Sequence, residues 1–242
     1  MARAMRLAGE WKDESTGRAE LASSASNPLL EYFESHHEGR GIWKWQHYFA
    51  AYQRHLSKFV GREVHLLEIG VYSGGSLEMW RHYFGPQCRV YGVDIESACQ
   101  AYADDAIKIF IGDQADRNFW QTVKSKVPAL DVVIDDGGHK AEQQIVSLEE
   151  LLPQLRPDGV YLCEDVQGVS QRFADYVSGL ARSLNATDLR THTAGVESSA
   201  TPFQAAVHSI HCYPFLTVIE RTGAPAGKFT APRHGTQWQP FL

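Results

Sequence analysis

From residue 63 onward the chain alternates two kinds of hydrophobic pattern. Short, nearly continuous apolar runs rich in β-branched residues ("VHLLEIG", "RVYGVDI", "IKIFIGD", "DVVIDD" and "GVYLCED") read as strands covered on both faces. Between them apolar positions recur at helical spacing: from Ser76 to about Tyr83, through about Ala103, from about Asp116 to Val127, and along "KAEQQIVSLEELLPQL" and "SQRFADYVSGLARSL". Five strands joined by helices require right-handed crossovers, and so a parallel sheet with helices on both faces. The end breaks the rhythm. "AAVHSIHCYPFLTVIER" reads as two strands joined tightly at Tyr213-Pro214, with no helix between them. The expected fold is α/β: a seven-stranded, mostly parallel sheet with a C-terminal antiparallel hairpin and helices on both faces.

Upstream, Pro28 opens a short helix, "PLLEYFESHH". After the turn "EGRG", the segment "IWKWQHYFAAYQRHLSKFV" keeps helical spacing and is predicted helical up to Gly61. Residues 1–26 are polar and Ser/Ala-rich, the composition of a flexible lead-in. Residues 27–242 then make one domain, with a helical cap at 27–60, a core at 63–222 and an irregular Pro/Gly-rich tail at 223–242.

Composition narrows the function. The 242 residues, 43% of them hydrophobic, suffice for one substantial core. A formal net charge of −6 and the lack of any Lys/Arg run argue against nucleic acid as a partner. No stretch approaches the ~18 apolar residues of a membrane span, and the start has no apolar signal-peptide core. Cys88, Cys99, Cys163 and Cys212 lie far apart and read as reduced core thiols, so a cytoplasmic location is expected.

The chemistry collects at strand ends. "LLEIGVYSGGSLEMW" closes the first strand, and Gly70, Gly74 and Gly75 allow a tight turn against a ligand. The turn is not G-x-G-x-x-G, and the carboxylate of Glu68 would repel a pyrophosphate while welcoming an ammonium or sulfonium. Asp94, at the end of the second strand, is placed to accept ribose hydroxyls; Asp113 and Gln114, after the third, could read an adenine edge. The alternative is that Glu68 and Asp94 merely cap helices or turns. A terminal reversed strand separates class I S-adenosylmethionine methyltransferases from dinucleotide dehydrogenases, and in both the ligand lies at the carboxyl ends of the strands.

Asp135 and Asp136 end the fourth strand, His139 follows on the same turn, and Glu164 and Asp165 end the fifth. Carboxylates gathered this way raise one another's pKa unless a cation sits among them. An all-oxygen acidic set suits Mg²⁺, Ca²⁺ or Mn²⁺. His139 has the right ordinary pKa for a general base near neutrality. Each residue alone could simply cap a helix; together, above the cofactor region, they point to a metal site. A metal gripping two neighbouring hydroxyls favours a vicinal diol, a sugar or a catechol, as acceptor. A hydroxylase-like relative would need iron, and no two-His-one-carboxylate set is visible in the sequence.

The motifs "LEIGVYSGGSLEMW", "VYGVDI", "GDQADRNFW", "VVIDDGGH" and "GVYLCEDV" resemble the metal-dependent sugar O-methyltransferases of natural-product pathways, the macrocin and mycinamicin type, over about residues 43–165. The resemblance implies Mg²⁺, or another divalent ion such as Mn²⁺, on Asp136, Glu164 and Asp165, with His139 as base. It also implies S-adenosylmethionine around Glu68, Gly70, Ser73, Asp94, Asp113, Gln114 and Asp135. Catechol-type enzymes carry Asp-Asn after the fifth strand, so Glu164-Asp165 favours a glycoside acceptor; phenolic methylation and a non-catalytic cofactor-binding subunit are the alternatives. "WKWQHYFAAYQRHL" is similar to the family's pre-strand helix, which brings in His47 and Tyr48. The acceptor pocket is expected from this helix, the loop after Asp165 and the tail near "HGTQWQ". Some relatives carry an extra N-terminal domain, for which this chain is too short. The family often self-associates, which is compatible with a homo-oligomer, dimer or higher.

Overall fold

The computed structural model describes residues 2–10, 26–167, 172–187 and 197–236. Its elements are α1 (Ala2–Gly9), α2 (Pro28–Ser35), α3 (Tyr48–Leu56), β1 (Val64–Ile69), α4 (Gly75–Phe84), β2 (Cys88–Asp94), β3 (Ile107–Ile111), α5 (Arg117–Lys124), β4 (Leu130–Asp135), α6 (Ala141–Leu151), β5 (Leu155–Cys163), α7 (Arg172–Leu184), β6 (Glu197–Ser199), α8 (Pro202–Ala206), β7 (Val207–Tyr213), β8 (Leu216–Arg221) and β9 (Lys228–Thr230). The sheet runs β3-β2-β1-β4-β5-β8-β7. Strands β1 to β5 are parallel, and β8 enters antiparallel between β5 and β7. The order reverses beside β1, so the helices that follow β1 and β4 pack on opposite faces of the sheet and leave a cleft above the strands' carboxyl ends.

Both faces of the sheet are covered, as the unbroken apolar strands require. One layer of core packs Tyr48, Phe49, Tyr52 and Trp80 of α3 and α4 onto Leu66, Val90, Val132 and Val218. The other packs Trp120, Val146, Leu148 and Phe173 of α5, α6 and α7 onto Leu67, Val133, Tyr161 and Ile219. No described helix is long and apolar enough to cross a membrane.

Several expectations change. Residues 2–9 are helical rather than a loose lead-in, and residues 11–25 lie outside the described set. The stretch after β2 folds as a 3-10 helix, Ser97–Tyr102. The tail contributes β9, which pairs with β6 in a small second sheet. Cys212 is exposed, unlike the other three cysteines, because it faces outward on the edge strand β7; all four are free.

The largest change is at residues 42–46. Residues 42–45 are not helical and 46–47 form a turn, with helix α3 starting only at Tyr48. Burial alternates there: Lys44 points in and is buried, while Trp43 and Trp45 point out. That period-2 pattern belongs to an extended strap, and an inward lysine must have found anions to justify its desolvation.

Candidate active site

Those anions come from three different strands. Lys44 Nζ donates to Asp136 Oδ2 at 2.7 Å, to Glu164 Oε2 at 3.0 Å and to Glu68 Oε1 at 3.4 Å. Burial acts to strip its proton, but the three carboxylates outweigh this and hold its pKa well above the usual lysine range. Glu164 also accepts from the Tyr52 hydroxyl at 2.7 Å, yet burial still pushes its pKa up to about 8. Burial opposes the Lys44 charge at Asp136 as well; there the ion pair prevails and the pKa falls below the usual carboxylate range.

Toward solvent, a second group meets. His139 Nε2 lies 3.2 Å from Asp136 Oδ1, and its Nδ1 lies 3.5 Å from Asp165 Oδ2. The hydrogen bond to Asp136 raises the histidine pKa above its ordinary 6.5. Asp165 is itself held by the strap, because Trp45 Nε1 donates to its Oδ1 at 2.9 Å. Tyr48 Oη lies 3.0 Å from the same oxygen and accepts from the Asp165 backbone N–H at 3.2 Å. His139, Asp165 and Tyr72 have positive φ angles of 56°, 53° and 49°. Left-handed backbone in non-glycine residues costs energy and gathers where geometry serves function.

These groups border a cleft of about 630 Å³ lined by Gly70, Tyr72, Ser73, Asp94, Asp113, Gln114, Asp136, His139, Glu164 and Asp165, among others. Of the cofactor residues read from the sequence, Gly70, Ser73, Asp94, Asp113 and Gln114 therefore face it. Glu68 does not. It is fully buried beneath the floor, accepting from Ser76 Oγ at 2.9 Å, and its ammonium partner is the chain's own Lys44. Asp135 does not line the cleft either; it points into the opposite core layer, where burial raises its pKa to about 6 despite donors from Tyr161 and Gln114.

Asp94 shapes the turn as well as the cleft. Its Oδ2 accepts from the backbone N–H groups of Val71 and Tyr72 at 2.8 and 3.0 Å, and Oδ1 from Glu96 at 2.9 Å. Burial works against ionisation there, but the three N–H donors keep the pKa below normal. Gln114 ties the next loop down: its Oε1 accepts from the Gly138 N–H at 2.7 Å while Nε2 donates to Asp135 and Ser147.

Gly70 is where the cofactor turn and the acidic turn touch. Its φ is +89°, and a Cβ there would stand 2.0 Å from the Asp136 carbonyl oxygen. Gly70→Ala is expected to cost at least the ~1–3 kcal/mol of a strained backbone, plus whatever displacing residues 136–139 requires. The check is a lowered denaturant midpoint together with weakened cofactor binding; an unchanged midpoint would mean that the turn yields freely.

With a glycine turn, an acid at the end of β2 and an acid/His cluster on one cleft, comparison with known proteins becomes informative. Residues 67–166 match a family model described as a methyltransferase domain. The chain carries a methyltransferase domain. It is 27% identical over 241 residues to 8-demethyl-8-alpha-L-rhamnosyl tetracenomycin-C 2'-O-methyltransferase of Streptomyces olivaceus, covering 87% of this chain and 63% of that protein. It is 36% identical over 132 residues to demethylmacrocin O-methyltransferase of Streptomyces fradiae, covering 51% of this chain and 33% of that one. Among solved structures it resembles the MycE methyltransferase of the mycinamycin pathway in complex with Mg, SAH and mycinamycin VI. That likeness has 25% identity and a TM-score of 0.64, over 81% of this chain and 53% of the other. The chain thus spans less than two thirds of the length of these relatives.

Upstream of the matched segment, helical spacing hid three residues of the site. Lys44 and Trp45 sit in "IWKWQHYF", whose aromatic and apolar residues recur at helical spacing, and Tyr52 passes for core. The one available signal was a lone lysine in an aromatic run. Of the two residues brought in by resemblance, Tyr48 reaches Asp165, while His47 Nε2 instead meets the Pro214 carbonyl at 2.9 Å. The acceptor regions after Gln167 and beyond Thr236 lie outside the described residues.

Proposed function

We propose that the protein is an S-adenosylmethionine-dependent O-methyltransferase acting on a sugar hydroxyl of a glycosylated small molecule, with Mg²⁺ or Mn²⁺. The supporting observation is the meeting of Asp136, His139 and Asp165 at the mouth of the cleft, where one ligating atom of each lies within 4.8 Å of the others. The named activities of the relatives support the acceptor class: they methylate rhamnosyl tetracenomycin, demethylmacrocin and mycinamicin VI.

The donor set suits a hard cation. Asp136 Oδ1 and Asp165 Oδ2 already converge on the two nitrogens of the His139 imidazole, at 3.2 and 3.5 Å. Asp136 and Asp165 would hold the ion, with Glu164 joining through an oxygen it shares with Lys44. When bound, the ion supplies charge that grips neighbouring acceptor hydroxyls and lowers the pKa of one. Ser73, Asp94, Asp113 and the Gly70 turn would hold S-adenosylmethionine.

His139 performs the proton transfer. Its Nε2 is committed to Asp136, which leaves Nδ1, beyond good hydrogen-bond distance from Asp165, to take the hydroxyl proton. The acceptor oxygen gains the methyl group as the carbon–sulfur bond breaks, and its proton passes to Nδ1. Trp45, Tyr48 and Lys44 keep the carboxylates still during the step.

The test is transfer of a labelled methyl group to glycosides and to free catechols, with Mg²⁺ and with chelator. Metal-dependent methylation of glycosides is expected. Full activity in chelator, or in a well-folded Asp136→Ala enzyme, would sink the metal reading; catechols as sole acceptors would overturn the sugar reading.

A further inference from the structure

A different cluster lies one turn further along α3. Tyr48 and Tyr52 reach Asp165 and Glu164, whereas His55, next on the same helix face, turns toward β7 and β8 and is 3% exposed. His55 Nδ1 is 3.2 Å from Glu220 Oε1, and His211 Nε2 is 3.5 Å from Glu220 Oε2. The two imidazole centroids are 4.6 Å apart. One ligating atom from each of the three residues lies within 4.8 Å of the other two. Tetrahedral zinc, with bonds of ~2.0–2.2 Å to nitrogen and oxygen, spaces its ligand atoms by roughly 3.3–3.5 Å.

The surroundings support ligation. His55 Nε2 lies 2.9 Å from the Tyr213 hydroxyl, so the ring's other nitrogen has the outer partner that fixes a ligating histidine's tautomer and orientation. Ser209 Oγ donates to Glu220 Oε2 at 3.1 Å and sits 3.0 Å from His211 Nε2. The His211 side chain is 29% exposed, which gives an ion an entry path and leaves its fourth position accessible to solvent. Lys58 Nζ, 3.4 Å from Glu220 Oε1, is the competing cation; its side chain is 38% exposed and free to swing into solvent. Arg54 also faces the group from α3.

We propose that His55, His211 and Glu220 form a transition-metal site of the zinc class that fastens α3 to the β7–β8 hairpin beneath the active site. Two imidazoles and one carboxylate select zinc or its chemical neighbours over Mg²⁺. Glu220 lies opposite Val160 of β5, three residues before Cys163, which sets this site ~10 Å down the strand from the acidic cluster. The sequence shows no two-His-one-carboxylate motif, yet the fold assembles one from residues 55, 211 and 220. It stands away from the cofactor cleft, so it does not favour a hydroxylase. A metal here would hold Tyr48 and Tyr52 against the catalytic carboxylates through the shared helix.

The test uses Asp136→Asn enzyme in excess Mg²⁺, which keeps soft probes from the oxygen-lined site. One equivalent of Co²⁺ is expected to bind with the visible absorption of a tetrahedral nitrogen/oxygen site, and Zn²⁺ to displace it. His211→Ala, at a partly exposed position, should weaken binding by more than about tenfold. Lys58→Ala should strengthen it by freeing Glu220. No tetrahedral cobalt spectrum, or one unchanged by His211→Ala, would overturn the proposal; an affinity unmoved by Glu220→Gln would overturn Glu220 as ligand.

Discussion

Replacing His139 with alanine is expected to lower kcat for methyl transfer by ~10²–10⁴-fold while S-adenosylmethionine binding stays intact. Among the described residues the imidazole is the one titratable group at the cleft mouth with a ring nitrogen not engaged in a close hydrogen bond, and its φ of 56° holds it over Asp136. A base works only unprotonated, so the rate should fall as pH drops through the His139 pKa. In metal-free enzyme that pKa lies above 6.5, held up by the hydrogen bond to Asp136 and opposed by burial. An added dication repels the imidazolium proton, so Mg²⁺ should move the titration to lower pH. Histidine NMR with and without Mg²⁺ checks the shift, and single-turnover kinetics checks the rate. A variant retaining more than a tenth of the rate would leave the proton to another group or to water.

Lys44→Met is the second large effect, and it falls on stability. The substitution removes the only cation that contacts Glu68 and Glu164 among the described residues, leaving two fully buried carboxylates unpaired. Breaking a buried pair this way costs ~3–5 kcal/mol. The pH dependence has a definite sign. An unpaired buried carboxyl has a folded pKa above its ordinary 4.5, so the folded variant binds protons more readily than the unfolded chain. Its stability should therefore fall as pH rises from 4.5 toward the folded pKa, and the deficit against the parent should shrink on acidification. Urea titrations at pH 5 and pH 8 measure both. Equal stability of the two proteins at pH 8 would mean that the ion-paired arrangement contributes nothing net.

The relation of sequence to structure is clearest in these same residues. β-branched runs closed by Asp94, Asp136 and Glu164 revealed the parallel strands, because a strand covered on both faces must be apolar until it emerges. The same reading placed Asp136, His139 and Asp165 together, since carboxyl ends of neighbouring parallel strands share one rim of the sheet. It misplaced Glu68 and Asp135. A strand's side chains alternate between faces, so a residue at the rim can point into a core layer instead of the cleft.

What the sequence by itself determined was the α/β order, the closing hairpin and which strand ends carry acids. These follow from local periodicity and from the connection rules of parallel sheets. Only the tertiary structure decided what neutralises the acids. Lys44 is 92 residues from Asp136 and 120 from Glu164 along the chain, and helical spacing in "WKWQHYF" concealed that its segment is extended. His55 and Glu220 are likewise brought together by packing alone. Electrostatic pairing acts through space at a few ångströms, with no period along the chain, so it is settled only when the layers close.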